Sequence, residues 1–438
     1  MRPDPLRIEE VTSAAGLQAL RPEWEALWAS SPRATPFQHP AWLLAWWRHL
    51  GGGELRTLAV RGENRLAGLW PMFVWADSAR QLTPLGNGVS DHVDLLAAPG
   101  VGPAVAAAVI AHLAAAEGWD TADFRDIPAD SPLFTAELPA GIHPELQDDE
   151  PCPVLALPTS RPVRATDEGR RSGDGDQSGL SATLPASSRI RTEDRASSFD
   201  AAMRSAPSSS ASPEHPTAAD ATGSAQLARS SAAPSRKWTA SGGRRDTTEA
   251  RGDADASRSG DPLDGIVPRA FLKKVRYHER RLDREFAVKW QRASDPSSLE
   301  TLFGGLVRLH AARWAEEGTA GMLDDPRAVA FHRDVAKAFL ARGMLRLHAL
   351  RLDGTLAAAW YGFAANGRTY YYLGGFDPRF ERFSVGTVIV GHALEHALAE
   401  GATELDFLRG REAYKYAWGA VDRPQRRIRL TRAVEVGG

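Results

Sequence analysis

Hydrophobic positions near the C-terminus alternate with polar ones from Leu345 onward. Asp353-Gly354 and Asn366-Gly367 interrupt the alternation, and such dipeptides between alternating runs are typical of two-residue hairpin turns. The pattern therefore predicts an antiparallel meander of three strands, at 345–352, 355–365 and 368–376.

The period then changes to that of a helix. Apolar residues recur at helical spacing from about 386 to 400, and Gly401 ends the run. Short apolar runs predict two more strands, at 403–408 and 427–436. Two amphipathic helical segments precede the meander, "SLETLFGGLVRLHAARWAEEG" and "PRAVAFHRDVAKAFLARG". These elements predict an α+β fold in which helices flank a central, mostly antiparallel sheet.

An internal repeat extends this prediction to the N-terminal half. Residues 55–73, "LRTLAVRGENRLAGLWPMF", align without a gap with residues 345–363, "LRLHALRLDGTLAAAWYGF", and eight of the 19 positions are identical. In both halves a helical segment follows, and then a strand that ends in "TADF" or "ELDF". Chance similarity of two hairpins is the alternative, but the shared order of elements favours duplication. We therefore expect two related domains in tandem.

A segment of different composition separates the halves. Residues 161 to about 260 are dominated by Ser, Ala, Arg, Asp, Gly and Pro, with Phe199 and Trp238 as their only aromatic residues. Such a segment cannot bury enough apolar surface to offset the entropy of ordering it. The sequence predicts three parts: an N-terminal domain (1–160), a disordered insert (161–262) and a C-terminal domain (263–438). A regulated binding arm is the alternative for the insert, but no motif supports it.

Composition narrows the class of protein. The chain is 43% hydrophobic and 25% charged with a net charge of -2, which is typical of a soluble globular protein and gives no general attraction to nucleic acid. Cys152 is the only cysteine, so an intrachain disulfide is excluded. No apolar run reaches 18 residues and the first residues lack an apolar leader. We expect a cytoplasmic protein without a membrane span.

The stretch before the helix at about 386 suits an anion. Ser384 can cap the helix, and Gly386 lets a ligand approach its first turn, where free N–H groups and the helix dipole favour phosphate. Arg379 and Arg382 add positive charge nearby. A plain capped helix after a loop is the alternative.

Two motifs carry a resemblance to a known family: "GGFDPRFERFSVGT" (374–387) and "DFLRGREAYKYAWG" (406–419). With them the chain resembles the CelD-like branch of the GNAT acetyltransferases, relatives of the FemAB aminoacyltransferases with their paired GNAT folds. Four further stretches are similar to the family: "FQHPAWLLAWW", "DHVDLL", "FLKKVRYHERRL" and "RWAEEG". The insert of roughly 100 residues departs from the family pattern.

The resemblance implies two tandem GNAT-like domains and an acyl-CoA donor, acetyl-CoA or a longer acyl-CoA. It places the pyrophosphate on the turn at 384–388 and the pantetheine between two central strands. The donor-binding residues would be Arg379, Arg382, Ser384, Val385, Gly386 and Thr387. The N-terminal half has no counterpart of the Gly-x-Glu-x-Tyr-Lys motif, so we expect it to be a degenerate domain that shapes the acceptor site.

The second motif supplies candidate catalytic groups. Direct acyl transfer needs a base for the nucleophile and a proton for the leaving thiolate. Asp406 and Glu412 are candidate bases, Tyr414 is a candidate proton donor, and Lys415 could stabilise an oxyanion or bind an acidic acceptor. The alternative is structural: Asp406 caps the next helix while Tyr414 and Lys415 anchor it against the sheet.

Candidate acceptor contacts lie upstream, at Lys273, Arg276 and Trp314. The two basic residues belong to a charged helix, for which a solvated face is the alternative. A second motif, "HALEH" (392–396), matches the inverted zinc-protease pattern. Only 42 residues follow His396, too few for the expected further ligand and domain, so we expect no metal.

The sequence therefore predicts an acyl-CoA-dependent N-acyltransferase of the GNAT superfamily that acts on an amine, with an amino sugar or an envelope or polysaccharide precursor as possible acceptors. One alternative is FemAB-type transfer from aminoacyl-tRNA, which would bind RNA with a steep salt dependence. The other is a GNAT scaffold without activity in polysaccharide assembly.

Overall fold

The computed structural model describes residues 6–63, 65–76, 79–158, 260–317 and 321–432, with the backbone alone at 313–317. The predicted disordered insert, 161–262, lies outside these residues except for its last three. Its disorder, and with it the domain boundaries, stays a prediction.

Helices in the described residues cover both halves of the chain. They are α1 (Ala14–Ala19), α2 (Arg21–Ser30), α3 (Pro40–His49), α4 (Gly102–Ala115), α5 (Arg269–Glu285), α6 (Pro296–Glu317), α7 (Pro326–Leu340), α8 (Val385–Ala399) and α9 (Ala413–Ala417). Short 3-10 turns lie at Pro36–Gln38, Pro132–Thr135, Met322–Asp324 and Pro378–Phe383.

Strands in the first half are β1 (Arg7–Val11), β2 (Glu54–Leu55), β3 (Thr57–Gly62), β4 (Arg65–Trp70), β5 (Met72–Ala76), β6 (Arg80–Pro84), β7 (Leu96–Ala97), β8 (Thr121–Pro128) and β9 (Ile142–Ala156). Those in the second half are β10 (Val288–Arg292), β11 (Leu345–Leu352), β12 (Thr355–Ala365), β13 (Arg368–Phe376), β14 (Glu404–Asp406) and β15 (Val421–Arg432). The predicted meander and α+β class are confirmed.

The internal repeat is visible in backbone detail. β3 and β4 pair antiparallel with a register shift between Val60 and Arg61, and β11 and β12 pair with a shift between Leu350 and Arg351, 290 positions later. The turn residues Glu63 and Asp353 both have positive φ, 49° and 48°. β1 and β10 pair antiparallel with the first strand of each hairpin. The bulge and the left-handed turn residue at equivalent positions support duplication of the hairpin.

One sheet joins the two halves. Within the described residues, a four-stranded sheet has the order β1-β3-β4-β7, and an eleven-stranded sheet the order β10-β11-β12-β13-β14-β9-β15-β8-β6-β5-β2. The N-terminal strand β9 thus lies between β14 and β15, and the C-terminal strand β15 pairs with β8 and β9. Strands of the two halves therefore alternate within one sheet and are joined by backbone hydrogen bonds.

The tryptophan-rich N-terminal helix α3 also packs across the halves. Trp42 is fully buried and lies edge-on against Phe331, Phe363 and Tyr372 of the second half. Burying aromatic rings of this size contributes on the order of 2–3 kcal/mol each, so this contact is a main part of the core. No helix among the described residues is long and apolar enough to cross a membrane.

Two predicted strands had wrong boundaries. The strand predicted at 403–408 spans Glu404–Asp406, and Leu408 beyond it is left-handed. The last strand begins at Val421, six residues before the predicted 427, and its described part runs to Arg432; the predicted positions 433–436 lie outside the described residues. Its first residues, "VDRPQR", are polar and include a proline, which obscures a strand in the sequence. Pairing with β9 determines the strand: Arg423 lies opposite Cys152 and Gln425 opposite Asp149.

Candidate acyltransferase site

The start of α8 is built by a tight turn. Ser384 has left-handed backbone angles, φ 56° and ψ 38°, and its carbonyl oxygen accepts the N–H groups of Thr387 and Val388 at 2.9 and 3.1 Å. The expectation that the Ser384 hydroxyl caps the helix was wrong, because its side chain makes no capping bond. In the left-handed conformation the backbone carbonyl, rather than the hydroxyl, faces the first turn.

Two donors remain at this helix start. The N–H groups of Val385 and Gly386 have no acceptor within the helix, and none of the other described residues supplies one. Gly386 lies close to the Phe376 ring: a Cβ atom there would be 3.3 Å from the nearest ring carbon. The absence of a side chain thus keeps the first turn open. The donors and the helix dipole fit a phosphate group.

The two predicted arginines differ in their surroundings. Arg379 is 75% exposed and binds Asp377 through Nη2 at 2.6 Å, and this hydrogen bond holds the pKa of Asp377 below its usual value. The Arg382 guanidinium is exposed and lies 4.7 Å from the centre of the Phe383 ring. Arg382 is therefore the better placed of the two for a phosphate, since Arg379 would have to exchange a carboxylate partner.

β13 and β14 diverge near this helix start, where Phe376 of β13 contacts Gly386, and the region between the diverging strand ends is called the cleft below. β13 and β14 pair in parallel only over Arg368–Tyr370 and Glu404–Asp406. β13 then continues to Phe376, whereas the chain after Asp406 turns away. Aromatic rings line the divergence: Phe407 lies 6.2 Å from Tyr371 and 6.1 Å from Tyr414 between ring centres. Two parallel strands that separate beside a helix N-terminus can accept an extended chain with an anionic end.

Lys415 holds the loop that borders this cleft. The side chain is buried, and Nζ donates to the carbonyl oxygens of Leu408, Arg409 and Gly410 at 2.9, 2.7 and 3.1 Å. Glu412 completes the arrangement, with Oε2 at 2.8 Å from Nζ. Because the ammonium group is enclosed by these four oxygens, Lys415 supports the loop in this conformation and presents no surface to an acceptor.

Asp406 is also enclosed. It is fully buried; Oδ2 lies 2.9 Å from Nε2 of His92, and Oδ1 accepts the N–H of Leu408 at 2.8 Å. Leu408 has a φ of 61°, a left-handed conformation that costs a leucine roughly 1–2 kcal/mol. Strain of this kind persists where surrounding contacts impose it, and here the carboxylate of Asp406 and the ammonium of Lys415 do so from both sides of the turn.

The remaining two motif residues reach the surface. Tyr414 is 42% exposed and the Glu412 side chain 36% exposed. Of the four predicted catalytic residues, these two are therefore positioned to meet a substrate. The motif brings all four together, but in two layers: Asp406 and Lys415 inside, Glu412 and Tyr414 outside.

Sequence reasoning missed a buried polar cluster beneath the loop. Arg409 lies between Asp126, at 2.7 Å, and Asp91, at 3.5 Å. Burial raises the pKa of Asp126 to about 6, while Arg409 acts in the opposite direction. The stretch "DHVDLL" supplies Asp91 and His92, and it was noticed only as part of the family resemblance. A buried Asp-His pair in a loop leaves no periodic signal, so only the fold reveals its partners.

The candidate acceptor contacts are dispersed. Lys273 is exposed on α5, whereas Arg276 binds Glu395 of α8 and Glu279 of its own helix, both at 2.7 Å. Arg276 thus ties α5 to α8 in this conformation, and an acceptor would have to displace a carboxylate. The side chain of Trp314 lies outside the described residues.

The two histidines of "HALEH" contact neighbouring aromatic, histidine and arginine side chains. His392 stacks on Trp290 with ring centres 3.8 Å apart and lies 3.1 Å from Nδ1 of His348 through Nε2. Nε2 of His396 instead faces Arg292 at 3.3 Å, which would repel a metal ion. Among the described residues, one group places three metal-ligating side-chain atoms within 4.8 Å of one another: His92, Cys152 and Asp406.

Comparison with known proteins gives a family match within the second half of the chain. Residues 269–416 match the family model "Acetyltransferase (GNAT) domain". No curated protein matches the chain. Among solved structures, a conserved protein of unknown function from Bacteroides thetaiotaomicron is similar, with 9% identity and a TM-score of 0.52 over 97% of this chain and 100% of that one.

FemX is similar to a comparable extent, with 11% identity and a TM-score of 0.50 over 97% of this chain and 95% of that one. At such identities the likeness shows the fold alone. Together with the internal repeat, these matches show that the chain has a tandem GNAT fold similar to that of FemX and that its residues 269–416 match the GNAT acetyltransferase domain family.

Proposed function

We propose that the chain is an acyl-CoA-dependent N-acyltransferase whose donor binds in the C-terminal domain. The observation that carries the proposal is the cleft between β13 and β14 beside the open first turn of α8. The pyrophosphate would bind the N–H groups of Val385 and Gly386, with Arg382 alongside. The pantetheine would extend between the strands toward Phe407, where an amide chain can pair with strand edges that no longer pair with each other.

The reaction is direct transfer. The acceptor nitrogen attacks the thioester carbonyl carbon, the C–S bond breaks, and an N–C bond forms. The nitrogen attacks as a neutral amine and becomes positively charged in the tetrahedral adduct. Its proton passes to a base, for which Glu412 offers a carboxylate on a side chain that is 36% exposed, and the leaving thiolate takes a proton from the Tyr414 hydroxyl. The tyrosine regains its proton from solvent as the base releases its own. Asp406 and Lys415 act by holding the turn that carries these two groups.

The acceptor belongs to the same proposal. An amine of a small molecule or saccharide, such as an amino sugar or an envelope or polysaccharide precursor, fits the resemblance to the CelD-like branch. A cytoplasmic location, where acyl-CoA donors occur, also remains part of the proposal. Aminoacyl-tRNA is the alternative donor, since the fold is similar to that of FemX; the net charge of -2 disfavours it.

Calorimetry on the full chain tests the donor. Acetyl-CoA is titrated into wild type, Arg382→Glu, and Arg65→Glu as a control at an exposed arginine on β4 of the N-terminal half. We expect acetyl-CoA binding that weakens about tenfold in R382E and stays unchanged in R65E. Absence of binding by acetyl-CoA and longer acyl-CoAs, together with salt-sensitive tRNA binding, would favour the alternative donor. A screen of acyl-CoA consumption over amines, amino sugars and hydroxylated sugars then identifies the acceptor.

A further inference from the structure

His92 of the N-terminal half contacts Asp406 of the second motif. It lies in the loop between β6 and β7, is 3% exposed, and meets Asp406 of β14 across 314 sequence positions. Other contacts fix the same loop: Tyr372 donates its hydroxyl to the carbonyl of Val89 at 2.7 Å, and Trp42 donates Nε1–H to Ser90 Oγ at 2.9 Å. The imidazole is therefore held in place by the fold.

Gln425 of β15 reveals the proton on the other ring nitrogen. One orientation of its amide lets the nitrogen donate to the carbonyl oxygens of Ile127 and Asp126, both at 3.1 Å, while the oxygen lies 3.0 Å from Nδ1 of His92. The reverse orientation sets the amide oxygen against those two carbonyl oxygens, which are all acceptors. The satisfied orientation requires Nδ1 of His92 to carry a proton.

Nε2 of His92 and Oδ2 of Asp406 share a hydrogen bond. The two atoms lie 2.9 Å apart in a buried setting, so one proton lies between them. Asp406 also accepts the N–H of Leu408 at 2.8 Å and lies 3.4 Å from Nη1 of Arg423. The carboxylate is thus held from three directions, and His92 is the contact that comes from the N-terminal half.

A metal ion bound by Cys152, His92 and Asp406 is the alternative to this proton. The sulfur of Cys152 completes the three-ligand group with His92 and Asp406, so a metal ion could stand where we place the proton. Burial and the neighbouring carboxylates raise the pKa of the Cys152 thiol, and the S–H points to the carbonyl of Asp91 at 3.7 Å. Arg423 lies against Asp406 and Arg409 against Asp91, so two positive charges already border the cluster and disfavour a dication there.

We propose that His92 is a positioning residue of the acyltransferase site: through Nε2 it fixes Asp406, whose other oxygen holds the N–H of Leu408 and so the turn that carries Glu412 and Tyr414. This inference rests on the proposed function for its effect on turnover, but not for the hydrogen bonds. It also assigns the N-terminal half a direct part in the site, because the hydrogen bond to Oδ2 of Asp406 at 2.9 Å comes from that half.

Two substitutions of His92 separate its hydrogen bond to Asp406 from its hydrogen bond to Gln425. In His92→Gln the amide nitrogen falls near the place of Nε2 and still reaches Asp406, whereas in His92→Asn the shorter amide reaches Gln425 only. Hydrogen exchange of the amide of Leu408, followed in a peptide spanning 405–412, should accelerate about tenfold or more in H92N and stay near wild type in H92Q. Equal exchange in all three proteins would overturn the proposal.

Nitrogen-15 spectra of the histidine rings test the hydrogen bond directly. The Nε2 resonance of His92, identified by its loss in H92Q, should shift in Asp406→Asn, which keeps the side-chain shape but changes the partner of Nε2. This variant also serves if H92N does not fold. An unchanged Nε2 resonance in D406N, or stoichiometric zinc that is lost in H92N, would overturn the proposal.

Turnover provides the link to function. Once an acceptor is found, H92N should lower kcat about tenfold or more with little change in KM for acetyl-CoA, and H92Q should recover most of it. A fall confined to KM would contradict a positioning role. If no acyl-CoA binds, the proposed function fails while the exchange and ring measurements still decide the hydrogen bonds.

Discussion

Arg409 and Asp126 lie 283 positions apart in the chain, and Nη1 of Arg409 donates to both carboxylate oxygens of Asp126, at 2.9 and 2.7 Å. Burial opposes the charge on Arg409, yet Asp126 and Asp91 keep its pKa above the usual value. Both partners are therefore ionised at neutral pH, and the pair joins the second motif to β8 of the N-terminal half.

Removing one partner of this pair should destabilise the whole chain. Arg409→Met leaves two buried carboxylates without their guanidinium, and we expect a loss of about 3–5 kcal/mol in the free energy of unfolding, measured by urea titration. Arg411→Met, which breaks an exposed pair with Asp422, is the control and should cost about 0–1 kcal/mol. Similar losses in the two variants would show that Arg409 is not the anchor we infer.

Lys415→Met should loosen the motif loop. The methionine fills the space, but the carbonyl oxygens of Leu408, Arg409 and Gly410 lose their shared donor. We expect a loss of about 2–4 kcal/mol in unfolding free energy and faster amide exchange across 406–412. Lys337→Met removes an exposed lysine paired with Glu300 and should change neither. Full activity together with unchanged amide exchange across 406–412 in K415M would show that the buried ammonium group of Lys415 does not hold the loop.

Two glycines with positive φ allow a matched test of Glu412. Gly410 has a φ of 111° and Gly401 a φ of 75°. A Cβ atom at Gly410 would lie 2.5 Å from Oε2 of Glu412, whereas nothing lies within 4 Å of one at Gly401. Both alanine variants pay about 1 kcal/mol for the backbone, but only Gly410→Ala should displace Glu412.

We therefore expect Gly410→Ala to lower kcat by about tenfold or more and Gly401→Ala to leave it within about twofold of wild type, in the assay that the acceptor screen provides. Comparable activity of the two variants would argue against Glu412 as the base and would return attention to Tyr414.

Tyr414→Phe removes the exposed hydroxyl. If that hydroxyl protonates the leaving thiolate, kcat should fall by about 100-fold or more while the unfolding free energy changes by less than about 0.5 kcal/mol. Tyr277→Phe on α5, another exposed tyrosine, serves as the control with no effect on either. An undiminished kcat in Y414F would exclude the proton-donor role.

His348 makes the fold sensitive to acid. Burial, followed by His396 and His392, lowers the pKa of His348 to about 2. The unfolded chain protonates this residue below pH 6.5 while the folded chain does not, so stability is lost as the pH falls from 6.5. One such group contributes a slope of about 1.4 kcal/mol per pH unit.

Urea titrations between pH 7.5 and 5 measure this slope. His348→Phe should show a shallower loss of unfolding free energy below pH 6.5 than wild type, by about 1.4 kcal/mol per unit. His143→Phe, at an exposed position on β9, should keep the wild-type slope. Identical slopes in H348F and wild type would show that His348 is protonated in the folded state.

Local signals in the sequence determined much of the fold. Asp353-Gly354 and Asn366-Gly367 set the meander because turn residues and alternation act over a few positions, and the 290-residue offset revealed the duplication. The two motifs also indicated the candidate site. The same reasoning failed at Ser384, where the left-handed backbone placed the carbonyl in the capping position, and at 421–426, where polar residues concealed a strand.

Only the tertiary structure decided what the motif residues do. Asp406, Glu412, Tyr414 and Lys415 lie within nine positions, yet two are enclosed and two exposed, because His92, from 314 positions away, and the carbonyls of a strained turn enclose the first and the last of them. Which side chain is buried depends on strand order, here on β9 and β15 crossing between the halves. Pairing between strands so distant in the chain leaves no local pattern. The sequence therefore indicates the candidate site, and the fold decides which of its side chains are enclosed.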